Sequence, residues 1–369
     1  DKVLMIIVSS TIFFNTIGMS WLFGALEKYK YITVRSIFFK FIALIAMFVL
    51  IHQQSDYIIY GGISIFASSA SNVCNFIYAH KFVDFHQKQK YEYRQHLKPI
   101  LVFFAMSCAT TIYTNLDTVM LGFINGDAEV GFYNAAVKIK SILVCVVTSL
   151  GTVLLPRASY YVEHKMMDEF DRITCKAINF VFLVAVPMMV YFMLFAREGI
   201  SFLSGDAYKP ATIPMIIIMP TVLTIGLTNI MGIQMLIPLG KEKMVLYSEV
   251  AGAVVDFVIN MLLIPRMASA GAAIGTLVAE CVVWLVQYYV LRNRVTKAYR
   301  NIQYGKIAIA IIFGTIASLL VKNLTIGNFL TLVVSAILFF GIYAIVLLIL
   351  KEKFFMEIVN ETVLPILYK

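Results

Sequence analysis

The chain is short of charge. Of its 369 residues only 14% are Asp, Glu, Lys or Arg, whereas 60% are apolar; a soluble domain carries roughly a quarter charged residues. Too little polar surface exists to clothe a water-exposed body, which excludes a soluble enzyme. Cysteine is scarce and scattered. Cys74, Cys108, Cys145, Cys175 and Cys281 stand singly in or beside apolar stretches, with no CxxC and no Cys/His ligand spacing. That excludes a disulfide framework and a zinc site and reads them as buried small hydrophobes. The His residues fall near expected membrane edges and form no metal-binding pair. No GxxxxGK[ST] run offers a phosphate loop for ATP hydrolysis. Short alternating segments of the outer-membrane barrel kind are missing too. No cofactor and no metal site are expected.

What is present is a succession of long apolar runs, each near the ~20 residues that cross a bilayer as a helix. Eleven spans are expected: Val3 to Leu26, Val34 to Ile51, Tyr57 to Phe82, Pro99 to Phe123, Tyr133 to Leu155, Ala177 to Phe195, Ile213 to Leu239, Met244 to Leu263, Ala268 to Leu291, Ile307 to Val321 and Phe329 to Leu350. The fold class is an all-α integral membrane protein. Twenty-two Lys and Arg fall in connections after odd-numbered spans and at the C-terminus, against five on the other side. The positive-inside rule places the first set in the cytoplasm, so the net charge of +9 is membrane topology, not a nucleic-acid patch. This orientation puts Asp1 outside with neither Met nor signal peptide before it, so an odd number of preceding spans is expected upstream.

Polar residues inside the spans are the candidates for function, because each is costly in hydrocarbon unless it meets water or a partner. In the fifth span Asn134, Lys138, Ser141, Cys145, Thr148 and Thr152 recur at helical spacing on one face. Lys138 on that stripe either faces a cavity or snorkels to the near membrane edge. Lys140, roughly 200° around the helix, has less claim. In the fourth span Thr110, Thr114 and Asp117 share a face; Asp117 has three open roles, pairing with Lys138, carrying a coupling cation, or contacting sugar hydroxyls. In the eighth span Glu249, Asp256 and Asn260 share a face with Gly252 between them. The two carboxylates are too far apart along the helix for one acid/base pair. Glu249 reads as interfacial and Asp256 as the stronger candidate. Lys40 and Glu280 are further intramembrane charges. Gly271-x-x-x-Gly275 reads as close helix packing. Pro214, Pro220 and Pro238 predict a bent or broken seventh helix, with Thr224, Thr228, Asn229 and Gln234 available to the freed backbone groups.

Three stretches taken together, WLFGALEKYK from Trp21 followed by Val34-Arg35 and Lys40, NLDTVMLGFINGDAEVGFYNAAVK from Asn115, and NMLLIPRMASAGAAIGTLVAE from Asn260, resemble the bacterial O-antigen and capsule flippases. These are a branch of the multidrug/oligosaccharidyl-lipid/polysaccharide exporter superfamily. The resemblance implies fourteen helices: two six-helix lobes around a central cavity, then an appended pair. Eleven spans against fourteen leaves three upstream, an odd number. Residues 1–90 would be a partial first lobe, 91–295 the second lobe and 296–369 the appended helices.

The resemblance further implies translocation of an undecaprenyl-pyrophosphate-linked oligosaccharide across the bacterial inner membrane. Lys138 and Lys40 would meet the anionic head, and Asp117, Thr110, Thr114 and Asn134 would line the cavity for the sugars. Asp256, Asn260, Glu280 and Lys140 are left to ion coupling or structural pairing. The implied partners are the lipid-linked glycan, the bilayer, a coupling cation and polysaccharide assembly enzymes, with no nucleic acid. An ion-coupled multidrug exporter is the alternative, with Asp117 and Asp256 in its favour. A membrane glycan polymerase is disfavoured because the longest outside connection is 17 residues, Ala196 to Thr212.

Overall fold

The computed structural model describes residues 2–53, 56–83, 93–323 and 327–360. It divides into two compact units, Asp1–Tyr93 and Arg94–Lys369. The expected boundary at residue 90 and the basic residues Lys88 and Lys90 lie outside the described residues.

The first unit holds α1 (Lys2–Ile17), the short α2 (Ser20–Ala25), α3 (Tyr29–Leu50) and α4 (Tyr57–Ala79). Lipid supplies no hydrophobic drive between helices, so small and polar side chains hold such packing together. α4 is built for this, with Ser64, Ser68, Ser69, Ser71, Asn72 and Asn75 down its length. Asn72 Nδ2 donates to Asn15 Oδ1 at 2.8 Å, Asn75 Nδ2 donates to Ser20 Oγ at 3.2 Å, and the Tyr31 hydroxyl donates to the Cys74 carbonyl at 3.3 Å. At the Lys28 end, fully buried Phe23 packs on Tyr31, Tyr78 and Phe82, and Lys28 Nζ caps the Phe82 ring at 3.9 Å. The opposite surface, with Ile37, Phe41, Phe48 and Val49 exposed, is what a lipid-facing helix presents.

The second unit runs α5 (Tyr93–Asn125), α6 (Asp127–Glu163), α7 (Met167–Leu194), α8 (Ala196–Ser204), α9 (Thr212–Ile218), α10 (Thr221–Thr228), α11 (Glu242–Asn301), α12 (Tyr304–Leu319), α13 (Asn328–Ile349) and α14 (Lys353–Ile358). One face of α6, formed by Tyr133, Ala136, Ile139, Leu143 and Val147, packs into a core with Ile178 and Val181 of α7 and Met215, Ile218 and Val222 of α9 and α10. Hydrogen bonds staple α13 to α7: Tyr191 donates to the Leu332 carbonyl at 2.7 Å and Tyr343 to the Leu183 carbonyl at 2.9 Å. Each such intramembrane bond contributes about 0.6 kcal/mol. Ion pairs tie α7 to its neighbours, Arg294 of α11 meeting Asp171 at 2.7 Å and Lys176 meeting Glu357 of α14 at 2.5 Å.

Two sequence expectations take their physical form here. The seventh span is broken: the segments Asp206–Ile218 and Thr221–Leu236 are bent by 46° at Met219 and Pro220, and the second of them ends in a π-helical stretch, Asn229–Leu236. Thr221, not one of the side chains singled out, serves the break by donating to the Ile218 carbonyl at 2.6 Å. The span count also differs. Among the described residues eight helices are long and apolar enough to cross a membrane, or nine with the bent pair. Two expected spans, Met244 to Leu263 and Ala268 to Leu291, lie in the single 60-residue α11. At a rise of 1.5 Å per residue that helix would be about 90 Å long, three bilayer cores, but Ala268 interrupts it with φ 48° and ψ −127°. The expected span Tyr57 to Phe82 forms α4, which carries its serines and asparagines among apolar residues. The protein is a multi-pass all-helical membrane protein.

Candidate functional site

The best-defined polar site of the second unit is assembled by α5, α6 and the two arms of α11. Asp117 of α5 is 1% exposed and accepts three hydrogen bonds. Asn260 Nδ2 donates to its Oδ1 at 2.5 Å, Thr276 Oγ1 to its Oδ2 at 2.6 Å, and the Tyr133 hydroxyl also to Oδ2. Tyr133 and Thr276 hydroxyls lie 2.7 Å apart. Asp256, 0% exposed, sits one turn before Asn260 and beside Asp117. Neither of its carboxyl oxygens has a hydrogen-bond donor, nor does Asn260 Oδ1, among the described residues. Two carboxylates are both acceptors, so they stay side by side in hydrocarbon only with a proton or a cation between them. The oxygen-rich donor set of Asp117, Asp256, Asn260 and Thr276 suits a hard cation or a proton.

Glycine makes this closeness possible. A Cβ on Gly275 would strike the Asn260 side chain and come within 3.1 Å of Asp256 Oδ1, and one on Gly271 would meet the Leu263 carbonyl at 2.6 Å. The Gly271-x-x-x-Gly275 spacing therefore brings the two arms of α11 together at the acidic pair.

The sequence-predicted residues separate into groups. The α6 stripe is continuous but exposed: Asn134, Lys138, Ser141, Cys145 and Thr152 all lie on the surface of the chain, and Thr148 is half-buried. Lys138 is therefore not the partner of Asp117, whose oxygens are taken by Tyr133, Asn260 and Thr276. The lysine that approaches the acids is Lys140 on the other side of α6, near enough to Glu280, Asp117 and Asp256 to feel each charge. The reason is rotational, since a stripe read on one helix does not say which neighbour covers the opposite face. Cys145, read as buried, is exposed on this polar face, and the other four cysteines are half-buried and free.

Thr110 donates to Glu249 Oε2 at 3.3 Å, Thr114 is exposed and bonded to its own helix, and Glu280 is 4% exposed. Glu249 and Glu280 line a cavity of about 130 Å³ with Asn229 and Gln287. Lys40 belongs to the first unit, where it is exposed and lines a chamber of about 530 Å³. Sequence reasoning missed Tyr133 and Thr276, although both lie within the stretches that carried the resemblance.

Comparison with known proteins gives these sites a context. Residues 2–162 match the family model "Polysaccharide biosynthesis protein", and residues 103–262 match the model "MatE". The chain is 26% identical over 286 residues to a protein of Escherichia coli (strain K12) named "Putative O-antigen transporter", covering 76% of this chain and 68% of that protein. A Shigella dysenteriae protein of the same name is 27% identical over 301 residues, covering 76% and 70%. The Haloferax volcanii protein "Probable low-salt glycan biosynthesis flippase Agl15" is 21% identical, over 63% of this chain and 48% of that one. Among solved structures, "Lipid II flippase MurJ, inward closed conformation" superposes with a TM-score of 0.68 at 14% identity, covering 93% of this chain and 72% of that one, which establishes a shared fold.

Proposed function

The chain belongs to the polysaccharide-biosynthesis and MatE superfamily of membrane transporters and flippases, which are not enzymes, and from that premise we propose that it flips lipid-linked glycans. Its cargo on this reading is an undecaprenyl-pyrophosphate-linked oligosaccharide repeat unit, carried across the bacterial inner membrane for surface polysaccharide. The observation that carries the reading is the extent of the polysaccharide-biosynthesis match. Residues 2–162 take in the Lys40 chamber, Asp117 and the exposed Lys138 face. The relatives named for O-antigen transport and glycan flipping support it.

Two roles divide the charges. Lys138 in the second unit and, separately, Lys40 in the first are each exposed cations available to a pyrophosphate, while Asn134, Thr110 and Thr114 of the second unit meet sugar hydroxyls. Asp117, Asp256 and Asn260 bind the coupling proton or small cation, with Lys140 and Glu280 setting the local charge. An ammonium near a pyrophosphate makes charge-assisted hydrogen bonds, and a sealed carboxylate pair responds to a single positive charge.

The test is reconstitution in proteoliposomes with a fluorescent undecaprenyl-pyrophosphate oligosaccharide. The cargo should cross to the leaflet reached by an impermeant quencher faster than in protein-free vesicles. No acceleration refutes the proposal. The MatE match over residues 103–262, which spans both Asp117 and Asp256, favours a second reading, cation-coupled export of drugs. In the same vesicles that reading predicts accumulation of a cationic dye and no movement of the glycan lipid.

A further inference from the structure

The two arms of α11 run back alongside each other from the kink at Ala268, and three contacts fix their register. A Cβ on Gly275 would strike the Asn260 side chain, one on Gly252 would meet Val283 at 2.6 Å and the Ala279 carbonyl at 3.5 Å, and Gln287 Nε2 donates to Ser248 Oγ at 3.1 Å. Each step back along the first arm is matched by an equal step forward along the second. That register sets Asp256 level with Glu280. From Asn260 to Ser248 the seam covers about 18 Å at 1.5 Å per residue, with the acidic pair at its Asn260 end.

Toward its other end lies the cavity of about 130 Å³. Glu280 belongs to both places: it lines this cavity with Glu249, Asn229 and Gln287, and it stands close enough to Asp256 for the two charges to act on each other. Gln287 is 1% exposed, and its Oε1 has no hydrogen-bond donor among the described residues. A buried amide oxygen is completed by a donor, which a water or a protonated carboxyl supplies, and the volume holds several waters. Around Glu280 stand Lys140 of α6, Asp256 of the first arm and, beyond it, Asp117 of α5, with the Cys281 thiol next in the chain. To the cavity α10 and the π-helical stretch bring uncharged Thr228 and Asn229, and Thr110 of α5 donates to Glu249 at 3.3 Å.

We propose that Glu280 and Glu249 form a proton relay between the acidic pair and the basic end of α11, where Lys241, Lys243, Arg292 and Arg294 stand; the positive-inside rule makes that end cytoplasmic. A proton held at Asp256 passes to Glu280 and then, through water in the cavity, to Glu249. At each transfer an O–H bond breaks on the protonated carboxyl as one forms on the receiving carboxylate, and the negative charge moves the opposite way. Chains of intramembrane carboxyls are the common means of moving protons in pumps and transporters, and the Lys140 ammonium lowers the cost of the ionised form beside it. The donor set suits a proton better than a metal ion: among the described residues no group of three or more His, Cys, Asp or Glu could hold one. The relay rests on the coupling role proposed for Asp117 and Asp256; it names the coupling ion and gives it a path.

Two experiments on the purified full chain test it. Dicyclohexylcarbodiimide modifies protonated carboxyls in apolar surroundings, and mass spectrometry of the digested protein locates the adducts. Glu280 should be modified at a rate that falls as pH rises, equally in sodium and potassium buffers. No modification of Glu280 at any pH, or suppression by sodium at constant pH, overturns the relay. In proteoliposomes carrying the fluorescent undecaprenyl-pyrophosphate oligosaccharide, trapped pyranine reports the protons that cross during flipping. Glu280→Gln should reduce that flux to the leak of protein-free vesicles, and Glu280→Asp should recover part of it. Glu249→Gln, at the half-buried edge of the cavity, should slow the flux without lowering the melting temperature, so a folding defect in Glu280→Gln leaves the relay still decided. Undiminished flux in either Gln variant overturns it. Glycan flipping without proton flux refutes the relay alone, and pH-dependent modification of Glu280 without glycan flipping refutes the flippase alone.

Discussion

The chamber of the first unit and the acidic cluster of the second are opposites in the properties that govern binding. The chamber is roomy, about 530 Å³, and its lining mixes Arg35, Lys40, serines and asparagines with apolar Ile32, Ala43, Leu44 and Met47, with no acid among the described residues. The cluster is closed, with Asp117, Asp256 and Asn260 between 0% and 1% exposed, and its unmet atoms are oxygens. Space and sign together select the ligand. A roomy chamber with cations in its lining admits a large anion with hydroxyls attached, whereas a sealed set of oxygens admits only a proton or a bare small cation. A charge in hydrocarbon persists where a partner or a ligand completes it; the acidic cluster has Lys140 nearby, whereas the chamber has no acidic lining residue among the described residues.

The comparison breaks most severely at Asp117. Asp117→Ala strands Asn260 and leaves Asp256 without its neighbour, and removal of one member of a buried polar set costs about 3–5 kcal/mol. The expected outcome is a large fall in melting temperature in detergent together with loss of transport. Asp256→Asn, nearly isosteric, separates stability from coupling: the protein should stay folded while transport loses its dependence on an imposed ion gradient. A gradient dependence kept intact by Asp256→Asn removes the cation role.

Next in size is Gly275→Ala. Its Cβ would displace Asn260 from Asp117, an overpacking cost of about 1–3 kcal/mol, visible as a lower melting temperature. A neutral result would show that the two arms of α11 have slack where the structure closes them. The lysines of α6 then sharpen the contrast between exposed and enclosed charge. Lys138→Ala should leave stability within about 0.5 kcal/mol, as for exposed surface sites, yet lower transport. Because Lys138 does not pair with Asp117, the double variant with Asp117→Ala should be additive in stability. Lys140→Met should lower stability by removing the positive charge nearest Glu280 and the acidic pair. Opposite in sign is Ala268→Gly: the positive φ of 48° at the kink strains an L side chain, and relief should raise stability by about 1 kcal/mol.

Much of this architecture is legible in the sequence, for reasons that also mark where legibility stops. Apolar runs and charge asymmetry declare helices, spans and sidedness because the bilayer tests each segment separately. The prolines near 214 and 220 announce a broken helix for the same local reason. α4 and both spans of α11 were legible as apolar runs; what those runs do not show is that the two spans of α11 join in one helix kinked at an ordinary alanine, Ala268. Asp117, Asp256 and Asn260 were visible as costly intramembrane polar groups, but their convergence depends on Gly275, an i+15 neighbour across that kink. Lys138 outranked Lys140 in the sequence because a polar stripe is easy to see on one helix; which face the acids cover is a tertiary fact.

The central claim is that this chain moves a lipid-linked glycan, and deletion of its gene in the source organism tests that directly. The account predicts that surface polysaccharide disappears, that its lipid-linked repeat units accumulate on the cytoplasmic leaflet, and that the unaltered gene restores display. Normal surface polysaccharide in the deletion strain, with heightened sensitivity to cationic drugs, would contradict it.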